Sequence, residues 1–393
     1  PAPVALRDIV YGDKNEYMTI KERSVTNKRL VAYGFGDGGG GPQYEMAETA
    51  RRIKDLNGCA KAEYTTVSDF MKSVEKDVKN PNTYMGELYL ELHRGTLTNQ
   101  HEIKYNNRKA ELALRDLELL KVCEAVKKGT VCSAEETNRL YETVLLNQFH
   151  DILPGTCINR AHEECKVQMR EGIKEAKAQI KAITDNGGEG ISVTNSLSFE
   201  RSDVIFAEDK GKSVADVLQQ NYTDLDGNKK LIVAGITVPA LSSVTLKLVD
   251  GDVADNSAFV ACENTLETPF AKIVFDGKGY ISSFIDKASG RELCGEGYPL
   301  NTFLMAEDLP ATWDNWDIDA DIEPKFVDCA ELVSREVVSD GAVELRIRSV
   351  YKISAESTIT QDMVFFADSA EVRFETLMDW NNKHRFLKTA FDT

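Results

Sequence analysis

Apolar positions along this chain change their period twice. The first stretch mixes strand-like and helix-like spacing. Leu30-Val31-Ala32-Tyr33 is a short apolar run that enters Gly34-Phe35-Gly36-Asp37-Gly38-Gly39-Gly40-Gly41, and Pro42 follows where the first turn of a helix accepts it. Met46, Ala50, Ile53 and Leu56 then fall on one helical face, with Gly58 placed to end the helix. Strand, glycine loop and helix in this order predict a unit of an α/β barrel or a doubly wound sheet. Thr66 to Val74 reads as a short helix. Leu88, Leu90 and Leu92 alternate across Gly86–His93, which predicts a strand that Arg94-Gly95-Thr96 ends. His93 and Arg94 thereby sit at a strand end, where α/β folds place function and where an exposed turn is equally common.

From Glu102 the period becomes helical. Residues 102–128 are rich in Leu, Ala, Glu, Lys and Arg. Ser133-Ala134-Glu135-Glu136 has the form of a capping box, predicting a second helix to about His150 that buries Leu140, Val144 and Leu145. Ile158, Ala161, Cys165, Met169, Ile173, Ala176, Ile180 and Ile183 form the apolar stripe of a third helix, stopped at Asn186-Gly187-Gly188. Three helices with short connections predict an antiparallel three-helix bundle over 101–188.

Beyond 190 the pattern alternates. Strands are predicted at 191–195, 230–238 and 243–248, making a small β domain over 189–252, followed by a polar, acidic linker. Further strands at 272–275, 280–286, 326–338, 343–353, 358–366 and 371–380, with a hairpin signal at Asp340-Gly341, predict a β-sandwich over 258–393. The fold class is therefore multidomain α+β.

Composition narrows the partners. Lys plus Arg number 47 and Asp plus Glu 64, a net charge of -17. That balance repels phosphate backbones and anionic membrane surfaces, so neither nucleic acid nor a membrane is expected as a partner. No apolar run is long enough for a transmembrane helix, and the first residues carry no signal-peptide pattern. The eight cysteines form no C-x-x-C pair and read as free thiols in a reducing, cytoplasmic compartment.

The chemistry concentrates in Asn147-Gln148-Phe149-His150-Asp151-Ile152-Leu153-Pro154-Gly155-Thr156. Pro154 cannot continue a helix, and Gly155 adopts angles other residues avoid, so His150 and Asp151 fall at a helix exit. Neutral imidazole is a metal ligand, and a carboxylate grips vicinal hydroxyls. The glycine loop lacks G-K-[ST] and G-x-G-x-x-G spacing and carries the acid Asp37, so a phosphate cradle is disfavoured.

Five ordered segments resemble glycoside hydrolase family 38, the retaining α-mannosidases, in their bacterial and fungal branch. They are Gly34–Pro42, Gly86–Thr96 with the helix start through Asn107-Arg108, Asn147–Thr156, Trp313-Asp314-Asn315-Trp316-Asp317-Ile318, and Asp379-Trp380-Asn381-Asn382-Lys383-His384. The resemblance implies that residues 1–100 are the tail of an α/β barrel. It implies that His150 is a ligand of one zinc ion, that Asp151 holds sugar hydroxyls, and that Asp37 is the general acid/base. His93 and Arg94 would line the sugar site, and the substrate would be a mannose-containing oligosaccharide. The family's H-x-D zinc pair and its nucleophilic aspartate lie upstream of the glycine loop, and no H-x-D occurs in this sequence. The chain is therefore expected to be the central piece of a longer enzyme, inactive by itself. The competing expectations are a non-catalytic carbohydrate-binding or scaffold protein and, more distantly, a different metal hydrolase. Linkage preference is not legible, and the oligomeric state stays open, a homo-oligomer included.

Overall fold

A computed structural model of the chain describes residues 25–35, 40–58, 61–88, 92–185, 190–251, 253 and 256–393. Asp37, the Tyr89–Glu91 part of the expected strand, the Asn186-Gly187-Gly188 helix stop and Cys59 lie outside the described residues. The chain divides into two compact units, Pro1–Tyr89 and Leu90–Thr393.

In the first unit, α1 (Tyr44–Arg52) runs into a short 3-10 turn at Ile53–Asp55. Its apolar face buries Met46 against Val31, Tyr33 and Ala50. Leu56, expected on that face, is exposed because the chain has already left the helix. α2 (Val67–Asp77) starts at Thr66, whose hydroxyl accepts the Asp69 N–H, an ordinary N-cap. Leu30–Tyr33 forms no strand; the contact next to it is a single bridge between Phe35 and Gly41. An extended segment becomes a strand only when a neighbour takes its backbone groups.

In the second unit, α3 (His101–Lys128), α4 (Glu135–Asn147) and α5 (Asn159–Thr184) share one core. Ile103, Leu114, Leu117, Leu140, Val144, Cys165, Met169 and Ala176 fill it. α3 ends at Gly129 in the left-handed conformation, with the Thr130 N–H on the Ala125 carbonyl and the Gly129 N–H on that of Val126. Two local expectations shift. The N-cap of α4 is Ala134, and Ser133 reaches only the Glu135 N–H at a long 3.5 Å. Glu136 is instead held by Lys121 of α3 at 3.1 Å, so the box does not close. Leu145, expected in the core, is exposed, because the buried face of α4 runs through Leu140 and Val144.

The rest is antiparallel sheet. β1 (Gly190–Asn195), β2 (Arg201–Glu208), β3 (Ser213–Val214), β4 (Leu218–Thr223), β5 (Lys229–Val238) and β6 (Ser242–Val249) form two three-stranded sheets, ordered β1-β6-β3 and β2-β5-β4. Val214, Leu231, Val233 and Leu246 close the core between them. β7 (Val260–Ala261), β8 (Thr265–Glu267), β9 (Ala271–Phe275) and β10 (Ile281–Asp286) make a sheet ordered β10-β9-β8-β7. β11 (Thr302–Glu307) and β12 (Val327–Asp328) precede β13 (Glu331–Asp340), β14 (Glu344–Lys352), β15 (Thr358–Phe366), β16 (Val372–Asp379) and β17 (Arg385–Ala390). β13 to β16 form a meander, and β12-β11-β17 a smaller sheet. Leu266, Ile273, Leu345, Ile347, Met363 and Phe365 pack the meander against the β7–β10 sheet. The expected 326–338 strand breaks at Cys329–Ala330, where the chain changes partner, β12 pairing with β11 and β13 with β14; the Asp328 carboxylate there accepts the Tyr280 hydroxyl at 2.9 Å.

Where β4 meets the meander, a charge cluster is centred on the fully buried Arg346, Glu344 and Asp362, with Arg348 and Glu375 partly exposed at its margin. Arg346 is 0% exposed and bonds Glu344 at 3.0 Å, Asp362 at 3.1 Å and Glu375 at 2.5 Å. Arg348 clamps Asp362 at 2.7 and 2.8 Å, and the Arg346 guanidinium lies 4.6 Å from the Tyr222 ring centre. Burial pushes the Glu344 carboxyl up, and Arg346 pulls against it. Beside this cluster Gln220 donates to Ser339 and the Glu344 carbonyl and accepts the N–H groups of Val343 and Glu344. Arg346→Met strands buried carboxylates and should cost about 3–5 kcal/mol. A urea titration should show the lower midpoint, and the triple variant E344Q/R346M/D362N should recover much of it.

Candidate functional site

Three loops of the second unit meet. The first is 92–100, a 3-10 turn (Arg94–Leu97) flanked by His93 and Gln100, both left-handed at φ 60° and 51°. The second is 148–157, the exit of α4. The third is 311–319, between β11 and β12, where Trp313 and Asn315 are left-handed at φ 61° and 68°. Non-glycine residues adopt this conformation uncommonly, Asn and His more readily than Trp or Gln.

The first and third loops interlock through backbone. The Gly95 N–H donates to the Trp316 carbonyl at 3.0 Å, and the His93 N–H to the Asp317 carboxylate at 2.5 Å. The Arg94 guanidinium donates to the Ile318 carbonyl at 3.0 Å, and the Asn99 side-chain amide donates to the Asn315 carbonyl. A Cβ on Gly95 would press on the Trp316 and Asp317 carbonyl oxygens at 3.2 Å, so glycine permits the approach. The His93 ring stands edge-on to Trp316, centres 5.0 Å apart. Trp313 is 71% exposed, unlike its partly buried neighbour Trp316.

The α4 exit is anchored before it turns. Asn147 is buried and donates to the Thr143 carbonyl and to Gln168 of α5. Gln148 donates to Asn107 and Glu111 of α3, both at 3.0 Å. The chain then coils once more, the Ile152 and Leu153 N–H groups sharing the Phe149 carbonyl. Gly155, at φ +84°, turns it away. A Cβ there would lie 2.9 Å from Gln100 Cγ and 3.1 Å from the Asn99 carbonyl oxygen, so this turn lies flat on the first loop. His150 and Asp151 project outward, their side chains 75% and 47% exposed, with Nε2 and Oδ2 3.5 Å apart. That separation is too long for a good hydrogen bond. The Phe149 ring lies beside the imidazole, centres 4.3 Å apart.

Of the sequence-predicted residues, His150 and Asp151 are thus side by side. His93 and Arg94 are together on the first loop, bonded to Asp317 and Ile318 of the third, and the turn that follows His150 and Asp151 lies on Asn99 and Gln100 of that same first loop. An imidazole nitrogen and a carboxylate oxygen are donors that zinc accepts, and both are open to a ligand. Among the described residues no group of three or more His, Cys, Asp or Glu is arranged to hold an ion. Acids crowd nearby: burial, then Asp314 and Asp319, push the Asp308 carboxyl up, with His384 acting the other way.

Sequence reasoning missed Lys104. Its ammonium donates to the carbonyls of Asn99 and, at 2.8 Å, Leu153. Burial pushes its pKa down to about 8. The available signal was its place in the first turns of α3, where the helix dipole disfavours a cation. His162 of α5 was likewise unread. It is buried behind the turn, its Nε2 without a hydrogen-bond partner among the described residues. Burial and then Lys166 push its pKa down, and a bond to the Gly155 backbone opposes them.

The model of the glycosyl hydrolases family 38 N-terminal domain matches residues 14–87, and that of the family 38 C-terminal domain matches residues 266–393. The chain belongs to glycoside hydrolase family 38. Between the two, the alpha mannosidase middle domain matches residues 91–186, which holds the α4 exit. Relatives of this family 38 chain include human alpha-mannosidase 2C1, 28% identical over 94% of the chain and 36% of that protein. Alpha-mannosidase G of Dictyostelium discoideum is 28% identical over 98% of the chain and 39% of its own length. The chain therefore spans little more than a third of these relatives. An alpha-mannosidase from Enterococcus faecalis V583 has the same fold, with a TM-score of 0.63 at 13% identity over 88% of this chain and 49% of that one. No helix among the described residues is long and apolar enough to cross a membrane.

Gly155→Ala meets both a left-handed φ and a contact, and should cost more than about 1 kcal/mol in a denaturant titration. Gly129→Ala, with nothing within 4 Å of its Cβ, should cost less. The unfolded chain protonates His162 near its ordinary pKa of about 6.5, and the folded chain resists. The unfolded state then binds more protons below that pH, so stability is full above it and falls as the pH drops. Urea midpoints at pH 7.5 and 5.5 should differ less for His162→Gln than for the wild type.

Proposed function

We propose that this chain forms part of a retaining, zinc-dependent α-mannosidase that removes terminal α-mannosides from oligosaccharides. The observation that carries the reading is the outward-facing His150–Asp151 pair, on a turn that lies against Asn99 and Gln100 of the loop carrying His93 and Arg94, within a family 38 chain. Residues 1–100 are read as the tail of an α/β barrel, 101–188 as an antiparallel three-helix bundle, 189–252 as a small β domain and 258–393 as a β-sandwich. The described cysteines are free, which supports a cytoplasmic setting.

The residues take separate roles in this reading. His150 would hold the zinc ion through a ring nitrogen, with further ligands needed beyond it, since zinc takes three or four protein donors. The ion, when bound, supplies a positive centre for sugar hydroxyls. Asp151 accepts hydrogen bonds from adjacent hydroxyls and so orients the ring. His93 and Arg94 line the sugar site. Asp37, as general acid/base, donates a proton to the leaving oxygen and later takes one from water, as a retaining mechanism requires.

The test is hydrolysis of an aryl α-mannoside by the native protein that carries this chain. The expected result is turnover lost to a chelator and restored by zinc, with NMR showing the α-anomer as the first product. His150→Ala and Asp151→Asn should each lower kcat/KM by about 100-fold or more. Mannoside binding without turnover at any metal loading would support a carbohydrate-binding scaffold instead.

A further inference from the structure

We propose that Lys104 is a positioning residue that clamps the His150–Asp151 turn to the loop bearing His93 and Arg94. The functional part of this rests on the mannosidase reading; the clamp itself rests on geometry. One ammonium donates to two backbone carbonyls that no helix or sheet satisfies, Asn99 on the first loop and Leu153 on the second. A charged donor to a carbonyl is stronger than a neutral one, and this group is half-buried, where the bonds are less exposed to water. Asn99 extends the link, since its side chain donates to the Asn315 carbonyl of the third loop. Leu153 stands three residues from His150 in the same coil, and its own N–H is tied to the Phe149 carbonyl at 3.1 Å. Fixing the Leu153 carbonyl therefore fixes the coil from which both candidate side chains project. Gly155 completes the seat by letting the turn lie on Gln100. Among the described residues, Lys104 is the side chain that bonds backbone of both loops.

Hydrogen exchange of the full chain tests the clamp. In Lys104→Met, amides of residues 95–99 and 152–156 should exchange about tenfold faster or more. Amides in the cores of α3, α4 and α5 should be unchanged, and Lys104→Arg should restore part of the protection. In the native protein, kcat/KM for an aryl α-mannoside should fall about tenfold in Lys104→Met and partly recover in Lys104→Arg. Unchanged exchange in both segments, or faster exchange throughout the three helices, would overturn the clamp. Freed segments with unchanged kcat/KM would overturn the positioning role. If His150→Ala and Asp151→Asn turn over normally while Lys104→Met still frees both segments, the clamp stands and the catalytic reading fails.

Discussion

The last carbonyls of α4 have no partners inside the helix, and the way they are met sets the geometry of the exit. The Gln148 and Phe149 N–H groups take the Val144 and Leu146 carbonyls, and the Phe149 carbonyl then takes two N–H groups of its own. The helix is prolonged as a coil until Pro154, and Gly155 turns the chain in a conformation closed to most residues. Because Gly155 has no side chain, the inner surface of the coil is occupied by contacts with Asn99 and Gln100. His150 and Asp151 lie on its outer side, open to solvent. Their exposure follows from the backbone arrangement beneath them.

The same constraint governs the loop at 311–319. It contains no regular element, so its backbone groups find partners one at a time: the Trp313 carbonyl accepts from Trp316 and Asp317, and that of Trp316 from Gly95. Left-handed Trp313, Asn315 and His93 are the conformational cost of this interlock. In return, residues more than two hundred positions apart in sequence share one surface, as the His93–Asp317 bond illustrates.

Deeper in the second unit, geometry is fixed by charge. The Arg346 cluster joins β14, β15 and β16 and touches Tyr222 of β4. Enclosing so many charges gains little net stability, because desolvation offsets attraction. What it imposes is register, since a one-residue slip of β15 would turn Asp362 to the other face and leave Arg346 with fewer partners. Gln220 repeats the device with neutral groups across the β4 contact.

Much of the helix and strand content was legible because periodicity is local. The stripe from Cys165 to Ile183 marks α5, and Gly129 marks the end of α3 without any knowledge of neighbours. Expectations failed where a neighbour intervened: Lys121 took Glu136 from its box, and core packing chose Val144 over Leu145. The sequence by itself determined that His150 and Asp151 sit at a helix exit, through Pro154 and Gly155, and family resemblance suggested what they do. Only the tertiary structure decided which loops meet there and that Lys104 bridges two of them. Caps, turns and apolar stripes are settled within a few residues, whereas a bond between a side chain and a distant carbonyl exists only after the core has brought both together.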